Sequence, residues 1–148
     1  MVNGTAVAVA AHPMRVYGVQ AHALDTVWND AAPFLEEALE LAFDKYSISD
    51  IYHYLQERDM QLWVVSNGIK LVAAAVTQIL EYPGSKIAQL VLVGGEGVRE
   101  WTDADQVLSQ WAREQGCDAL EATARPGWMR VIDDTSWHRP LVVLRKEL

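Results

Sequence analysis

Apolar residues recur along this chain with two spacings, one typical of helices and one typical of strands. The helical spacing predicts an amphipathic helix that begins near Asp25 or Asn29 and ends near Ala42, with three glutamates on its opposite side. The run Ser47-Ile48-Ser49-Asp50 is typical of a helix cap, in which a serine and an acidic residue bond each other's main chain. It predicts a second helix that ends near Arg58.

A run of β-branched and small apolar residues in the middle of the chain predicts three strands. Residues 61–66 and 69–81 flank Asn67-Gly68, a pair suited to a two-residue turn with positive φ. Residues 82–85 form a second turn, which leads into a strand over residues 87–93. These three strands should form an antiparallel meander.

The remaining elements have weaker patterns, and with them the predicted order is β-α-α-β-β-β-α-β-α-β. They are a first strand over residues 14–19, a helix capped by Thr102 and ended by Gly116, a strand over residues 118–124, a short helix from Pro126, and a last strand over residues 140–145. No internal repeat or linker interrupts this order.

The junction between the fourth strand and the third helix is rich in glycine and reads Gly94-Gly95-Glu96-Gly97. Glycine permits close approach to the main chain, and the start of a helix carries partial positive charge. Free N–H groups at such a place can bind a phosphate. The same residues also suit a tight turn with no ligand, and a glycine-rich string alone does not decide between the two.

The composition is that of a globular domain, since 51% of the 148 residues are hydrophobic and 22% are charged. We expect one domain over residues 14–148, preceded by a flexible segment over residues 1–13. The net charge of −8 and the scattered basic residues argue against nucleic acid as a partner. No apolar run approaches ~20 residues, so no membrane span is predicted. The single cysteine, Cys117, excludes an intrachain disulfide and fits a reducing, cytoplasmic setting.

Few side chains have the spacing that catalysis or metal binding requires. The four histidines are far apart, so no metal site is predicted. Glu81, at the end of the third strand, and Glu121, on the fifth, are candidate general bases, although a solvent-facing position also explains them. Arg125 and Trp128 follow the fifth strand, where they either shape a substrate pocket or seal the core.

The order of elements, with a glycine turn between the fourth strand and the third helix, resembles the GCN5-related N-acetyltransferase (GNAT) superfamily. Three strings, residues 61–65, 71–77 and 124–128, look like small GNAT-like proteins encoded by tailed phages and prophages. The resemblance implies an α/β (α+β) fold. Its sheet would be mixed and mostly antiparallel, with about six strands and about four helices.

The resemblance also implies a site for acetyl-CoA or CoA between the fourth and fifth strands, which splay apart in this superfamily. The pantetheine would pair with the main chain near Leu92 and Val93, and the pyrophosphate would lie on the loop that begins at Gly94. The cofactor-binding candidates are therefore Leu92, Val93, Gly94, Gly95, Gly97, Val98 and Arg99.

Three departures from the superfamily's pattern leave two functions open. Glu96 places negative charge in the loop, Gln89 stands in the strand where a glutamate often serves, and the last helix lacks a tyrosine. One function is acetyl transfer to an amine, with water or Glu81 accepting the proton. The other is a catalytically inactive phage structural, virion-associated or host-interacting protein. Its location would be the host cytoplasm or the virion.

Overall fold

A five-stranded sheet and three helices make up the described part of the chain. The computed structural model describes residues 14–42, 44–96, 103–124 and 136–148. The elements, in chain order, are β1 (Arg15–Val19), α1 (Leu24–Leu39), α2 (Ile48–Gln56), β2 (Gln61–Ser66), β3 (Leu71–Glu81), β4 (Lys86–Gly95), α3 (Ala104–Glu114) and β5 (Ala119–Ala122), with a short 3-10 turn at Ala21–Ala23.

The strands lie in the sheet in the same order as in the sequence. Each neighbouring pair from β1 to β4 is antiparallel, whereas β4 and β5 are parallel. The predicted meander is therefore confirmed. Its first turn is longer than the two residues predicted, because Ser66 pairs with Leu71 across a four-residue connection. Within it Gly68 has a φ of +94°, and the side-chain oxygen of Asn67 accepts two main-chain N–H bonds, both of 2.9 Å.

Helices cover both faces of the sheet. The helices α1 and α2 pack on one face, around a cluster that includes Leu35, Ile51 and Val76. The helix α3 packs on the other face, where Leu108 joins Trp63. Burial of apolar side chains on both faces is what holds a sheet of this size in place.

The residues at the start of α2 and at the end of α3 adopt the capping structures that their sequences predict. The predicted cap of α2 is confirmed, since the Ser47 main-chain N–H donates to Asp50 and the Asp50 N–H donates to the Ser47 hydroxyl. After α3, Gly116 adopts a φ of +80°, as a helix-ending glycine does. The N-cap of α3 is Asp103, and Thr102, the predicted cap, lies outside the described residues.

The last predicted strand is wrong. Residues 137–148 are in neither helix nor strand, and the side chains of residues 141–144 are 69–91% exposed. Two leucines and two valines have high strand propensity, but a strand also needs a neighbour with which to bond, and the described residues provide none here. The short helix predicted from Pro126 lies outside the described residues, and so does the segment over residues 1–13.

Candidate functional site

Strands β4 and β5 separate part-way along the sheet. Their pairing runs from Ile87 beside Ala119 to Leu90 beside Ala122, and β4 then continues to Gly95. Residues 91–95 therefore have β3 on one side and, among the described residues, no strand on the other. This open edge, residues 91–95 of β4, is the most distinctive feature of the sheet.

A β-bulge lies where the open edge begins. Val76 pairs with Leu92 and the next residue, Thr77, pairs with Leu90, so Val91 has no partner on β3. An extra residue in one strand bends that strand and increases its twist. The bulge at Val91 therefore bends β4 at the point where its pairing with β5 ends.

The hydrogen-bonding groups of the open edge alternate in direction. The Glu96 N–H donates to the Val72 carbonyl at 3.1 Å, in register with the ladder between β3 and β4. Because main-chain groups of an antiparallel strand alternate from side to side, those of Gly94 and Leu92 are directed toward β3. Those of Val93 and Gly95 are directed toward the open side. Of the two residues predicted to pair with pantetheine, Val93 is thus the one whose main chain faces the gap.

The two glycines of β4 are required by packing. Gly94 and Gly95 belong to the strand itself, not to a turn after it. A Cβ on Gly94 would lie 2.0 Å from the carbonyl oxygen of Phe34 in α1. A Cβ on Gly95, whose φ is +133°, would lie 2.4 Å from the Cβ of Ala73. Contact with α1 and β3 therefore explains both glycines without a bound phosphate.

Acidic groups flank the segment between β4 and α3. Glu96 follows the strand and is exposed, and Asp103 occupies the N-cap position of α3 without a side-chain capping bond. One carboxylate oxygen of Asp103 is buried, with no hydrogen-bond partner among the described residues. Negative charge at both ends opposes a pyrophosphate, whereas the helix start favours one. Gly97, Val98 and Arg99 lie outside the described residues.

The structure does not bring Glu81 to the open edge. Glu81 ends β3, pairs with Lys86 at the start of β4, and its carboxylate lies 3.6 Å from the Lys86 ammonium. Its side chain is 74% exposed. At about 3.3 Å per residue it is roughly 30 Å along β4 from Gly95 and about 13 Å from the point where β4 and β5 part. Arg125 and Trp128, the other two candidates, lie outside the described residues.

Glu121 lies closer than Glu81 to the open edge of β4, where a general base would be needed. It sits beside Gln89 in the parallel pair, one residue before the pairing ends at Ala122. Because its neighbour Leu120 packs against the cluster on the α3 face, the Glu121 side chain belongs to the face that carries α1 and α2. Both glutamates are candidates from the sequence, and Glu81 is the one predicted to accept the proton, because the register of β5 against β4, which distinguishes them, cannot be read from the sequence.

A buried hydrogen-bond chain joins β2 to β3 beside the bulge, and sequence reasoning missed it. Thr77, which is 0% exposed, follows the bulge on β3. The Trp63 indole N–H donates to the Thr77 hydroxyl at 2.9 Å, and that hydroxyl donates to the Gln61 side-chain oxygen at 3.0 Å. A buried hydroxyl with both bonds made resists displacement, so this chain fixes the register of β3 against β2, where Gln61 pairs with Thr77.

The described part of the chain shows neither a metal-binding cluster nor a membrane-spanning helix. Its residues contain no cluster of three or more histidine, cysteine, aspartate or glutamate side chains placed to hold a metal ion. None of its helices combines the length and the apolar character that a membrane span needs.

Solved acetyltransferases share this overall fold. An aminoglycoside acetyltransferase from an uncultured soil metagenomic sample, in complex with trehalose, matches 91% of this chain and 96% of its own with a TM-score of 0.67 at 13% identity. A GNAT family acetyltransferase from Staphylococcus aureus matches 92% of this chain and 99% of its own, with a TM-score of 0.57 at 8% identity. The chain has the GNAT fold.

A third similar structure is named for a different acetyl acceptor. The ribosomal-protein-alanine N-acetyltransferase of Brucella melitensis biovar Abortus matches 89% of this chain and 99% of its own, with a TM-score of 0.55 at 14% identity. No family model and no curated protein matches the sequence. Identities this low establish the fold and leave the chemistry to be argued from the site.

Proposed function

We propose that this protein is an N-acyltransferase that moves acetyl from acetyl-CoA to an amine. The observation that carries the proposal is the open edge of β4, where the main-chain groups of Val93 and Gly95 face a gap. A ligand with amide groups in an extended chain can add to such an edge as a further strand. The pantetheine arm of CoA has two amides, which suits this edge.

Different residues along the gap would bind the cofactor and accept the proton. The main chain of Val93 and Gly95 binds and orients the pantetheine, and Leu92 anchors the strand from the core side. Glu121, beside the closed end, accepts the proton that the amine loses as its nitrogen bonds to the acetyl carbon. The carbon–sulfur bond breaks in the same reaction, and CoA leaves as its thiolate with the electron pair of that bond. Acetyl-CoA supplies the thioester.

The segment after β4 would contact the phosphates. Main-chain N–H groups of Gly97 and Val98 would donate to the pyrophosphate, and the Arg99 guanidinium would offset Glu96. Arg125 and Trp128 follow β5 in the sequence and would line the acceptor side. The fold of the acetyltransferases above supports this arrangement as a whole.

Calorimetric titration with acetyl-CoA and CoA tests the proposal, with Val93→Pro as the deciding variant. Proline removes the N–H that faces the gap and is tolerated where a strand edge is open. We expect Val93→Pro to abolish or greatly weaken binding while Val93→Ala, which keeps the N–H, binds like the wild type. Equal binding by both variants would exclude pairing with the open edge.

A second function is favoured by the acidic groups around the glycine end. Glu96 and Asp103 place two carboxylates where a pyrophosphate would lie. A GNAT-fold protein without turnover, which binds a protein partner, would tolerate them, and its exposed apolar residues 141–144 would suit such a partner. Absence of CoA binding at millimolar concentration would favour this function. An origin in a phage, and a place in the virion, stay predictions from the sequence.

A further inference from the structure

We propose that the groove between α1 and α2 binds a primary alkylammonium ion. The groove has a volume of about 310 Å³ and is lined by Asp25, Trp28 and Asn29 of α1 and by Ile48, Ser49 and Tyr52 of α2. It lies apart from the open edge of β4. Asp25 is nine residues before Phe34, the residue of α1 that touches Gly94, which is about 14 Å along the helix.

Two aromatic rings form one corner of the groove. The centroids of the Trp28 and Tyr52 rings are 5.0 Å apart, and the ring planes are tilted by 59°. Both side chains are half-buried, so parts of their ring surfaces remain accessible. A cation beside the faces of such rings is attracted by their electron density.

A carboxylate completes the corner and is held in place. The Tyr52 hydroxyl donates to Asp25 Oδ1, and the Gln56 amide donates to the Tyr52 oxygen at 3.2 Å. The bond to Asp25 also keeps the pKa of Tyr52 above its ordinary value, so this hydroxyl stays protonated as a donor. Since the carboxylate has two oxygens, the bond from Tyr52 leaves Oδ2 to accept from a ligand.

The hydrogen-bonding capacity of the groove distinguishes between two kinds of cation. Asp25 Oδ2 beside the faces of Trp28 and Tyr52 suits a cation that donates a hydrogen bond, which a primary ammonium does and a quaternary one does not. The protein's net charge of −8 attracts such a ligand.

The test is a titration of the full chain with n-butylammonium chloride, with no acyl donor present, so that its outcome is independent of the proposed function. The probe signal is the indole N–H resonance of Trp28 in a ¹H–¹⁵N spectrum, identified by its loss in Trp28→Phe. We expect a saturable shift with a millimolar midpoint, and no such shift with n-butanol, which has the same chain without charge. A shift of equal size with n-butanol, or an equally tight midpoint with tetramethylammonium, would overturn the proposal.

Asp25→Asn is the deciding variant, because asparagine keeps an oxygen that accepts from Tyr52 while removing the charge. Asp30→Asn is its matched control: it makes the same change of net charge on an exposed residue of α1 outside the groove. We expect Asp25→Asn to weaken binding about fivefold or more and Asp30→Asn to change it less than about twofold. Equal effects would show that only the overall charge matters and would refute the site. Should Asp25→Asn fail to fold, Tyr52→Leu, which removes one ring face, must weaken binding as well, and unchanged binding there would refute the site equally.

Discussion

Replacement of Gly94 by alanine tests the packing of α1 against β4 directly. The added Cβ would lie 2.0 Å from the Phe34 carbonyl oxygen and 2.8 Å from its carbonyl carbon, both main-chain atoms that cannot rotate away. Relief requires α1 and the end of β4 to separate by more than about 1 Å. Because α1 contributes fully buried residues such as Leu35 to the core, separation also loosens that core. We expect the free energy of unfolding to fall by about 3 kcal/mol, the upper end of the usual cost of overpacking a core.

Urea denaturation followed by circular dichroism measures this loss as a lower midpoint at unchanged slope, and a thermal scan should show a fall of roughly 10 °C. Gly84→Ala is the matched control, because a Cβ there meets nothing within 4 Å in an exposed turn. It should change stability by less than about 0.5 kcal/mol. If Gly94→Ala were as stable as Gly84→Ala, the packing explanation of Gly94 would be refuted, and the phosphate-binding explanation would regain its force.

Three further predictions concern the cap, the buried chain and the charge near the gap. Hydrogen bonds from Ser47 hold the pKa of Asp50 below its ordinary value of 3.8, so its ionised form stabilises the fold above about pH 4 and this gain is lost as the pH falls through the lowered pKa. The stability difference between wild type and Asp50→Asn should therefore be larger in urea denaturation at pH 7 than at pH 3. Thr77→Val should cost about 1–3 kcal/mol by the same assay, because the Trp63 N–H loses its buried acceptor, whereas Thr77→Ser should retain most of the stability. Glu96→Lys should tighten CoA binding by up to about tenfold at low salt and by less at high salt, and unchanged affinity would exclude an electrostatic role for Glu96.

Features with a local chemical cause were predictable from the sequence. The cap at Ser47 and Asp50, the turn at Asn67 and the helix end at Gly116 each depend on residues within a few positions of one another. Runs of β-branched and small apolar residues, bounded by turn residues, likewise predicted the meander of β2, β3 and β4. Together these were enough to indicate the fold.

Features that depend on distant neighbours were not predictable. The reason for Gly94 is the carbonyl of Phe34, sixty positions away, and no pattern around Gly94 reveals it. The strand expected over residues 140–145 has strand propensity but no partner among the described residues. The choice between Glu81 and Glu121 depends on which end of the sheet each strand reaches, and that follows only from the register with β4.

The short parallel attachment of β5 has a consequence for the motions of the molecule. Only four residue pairs join β5 to β4, and β5 is itself largely exposed, whereas β3 is paired along most of its length on both sides. Under native conditions the amide protons of β5 should therefore exchange with solvent far faster than those of β3. The gap beside β4 would then lie between a stably paired strand, β4, and a strand that opens readily, β5. An extended ligand could enter the gap when β5 opens, while the core stays folded.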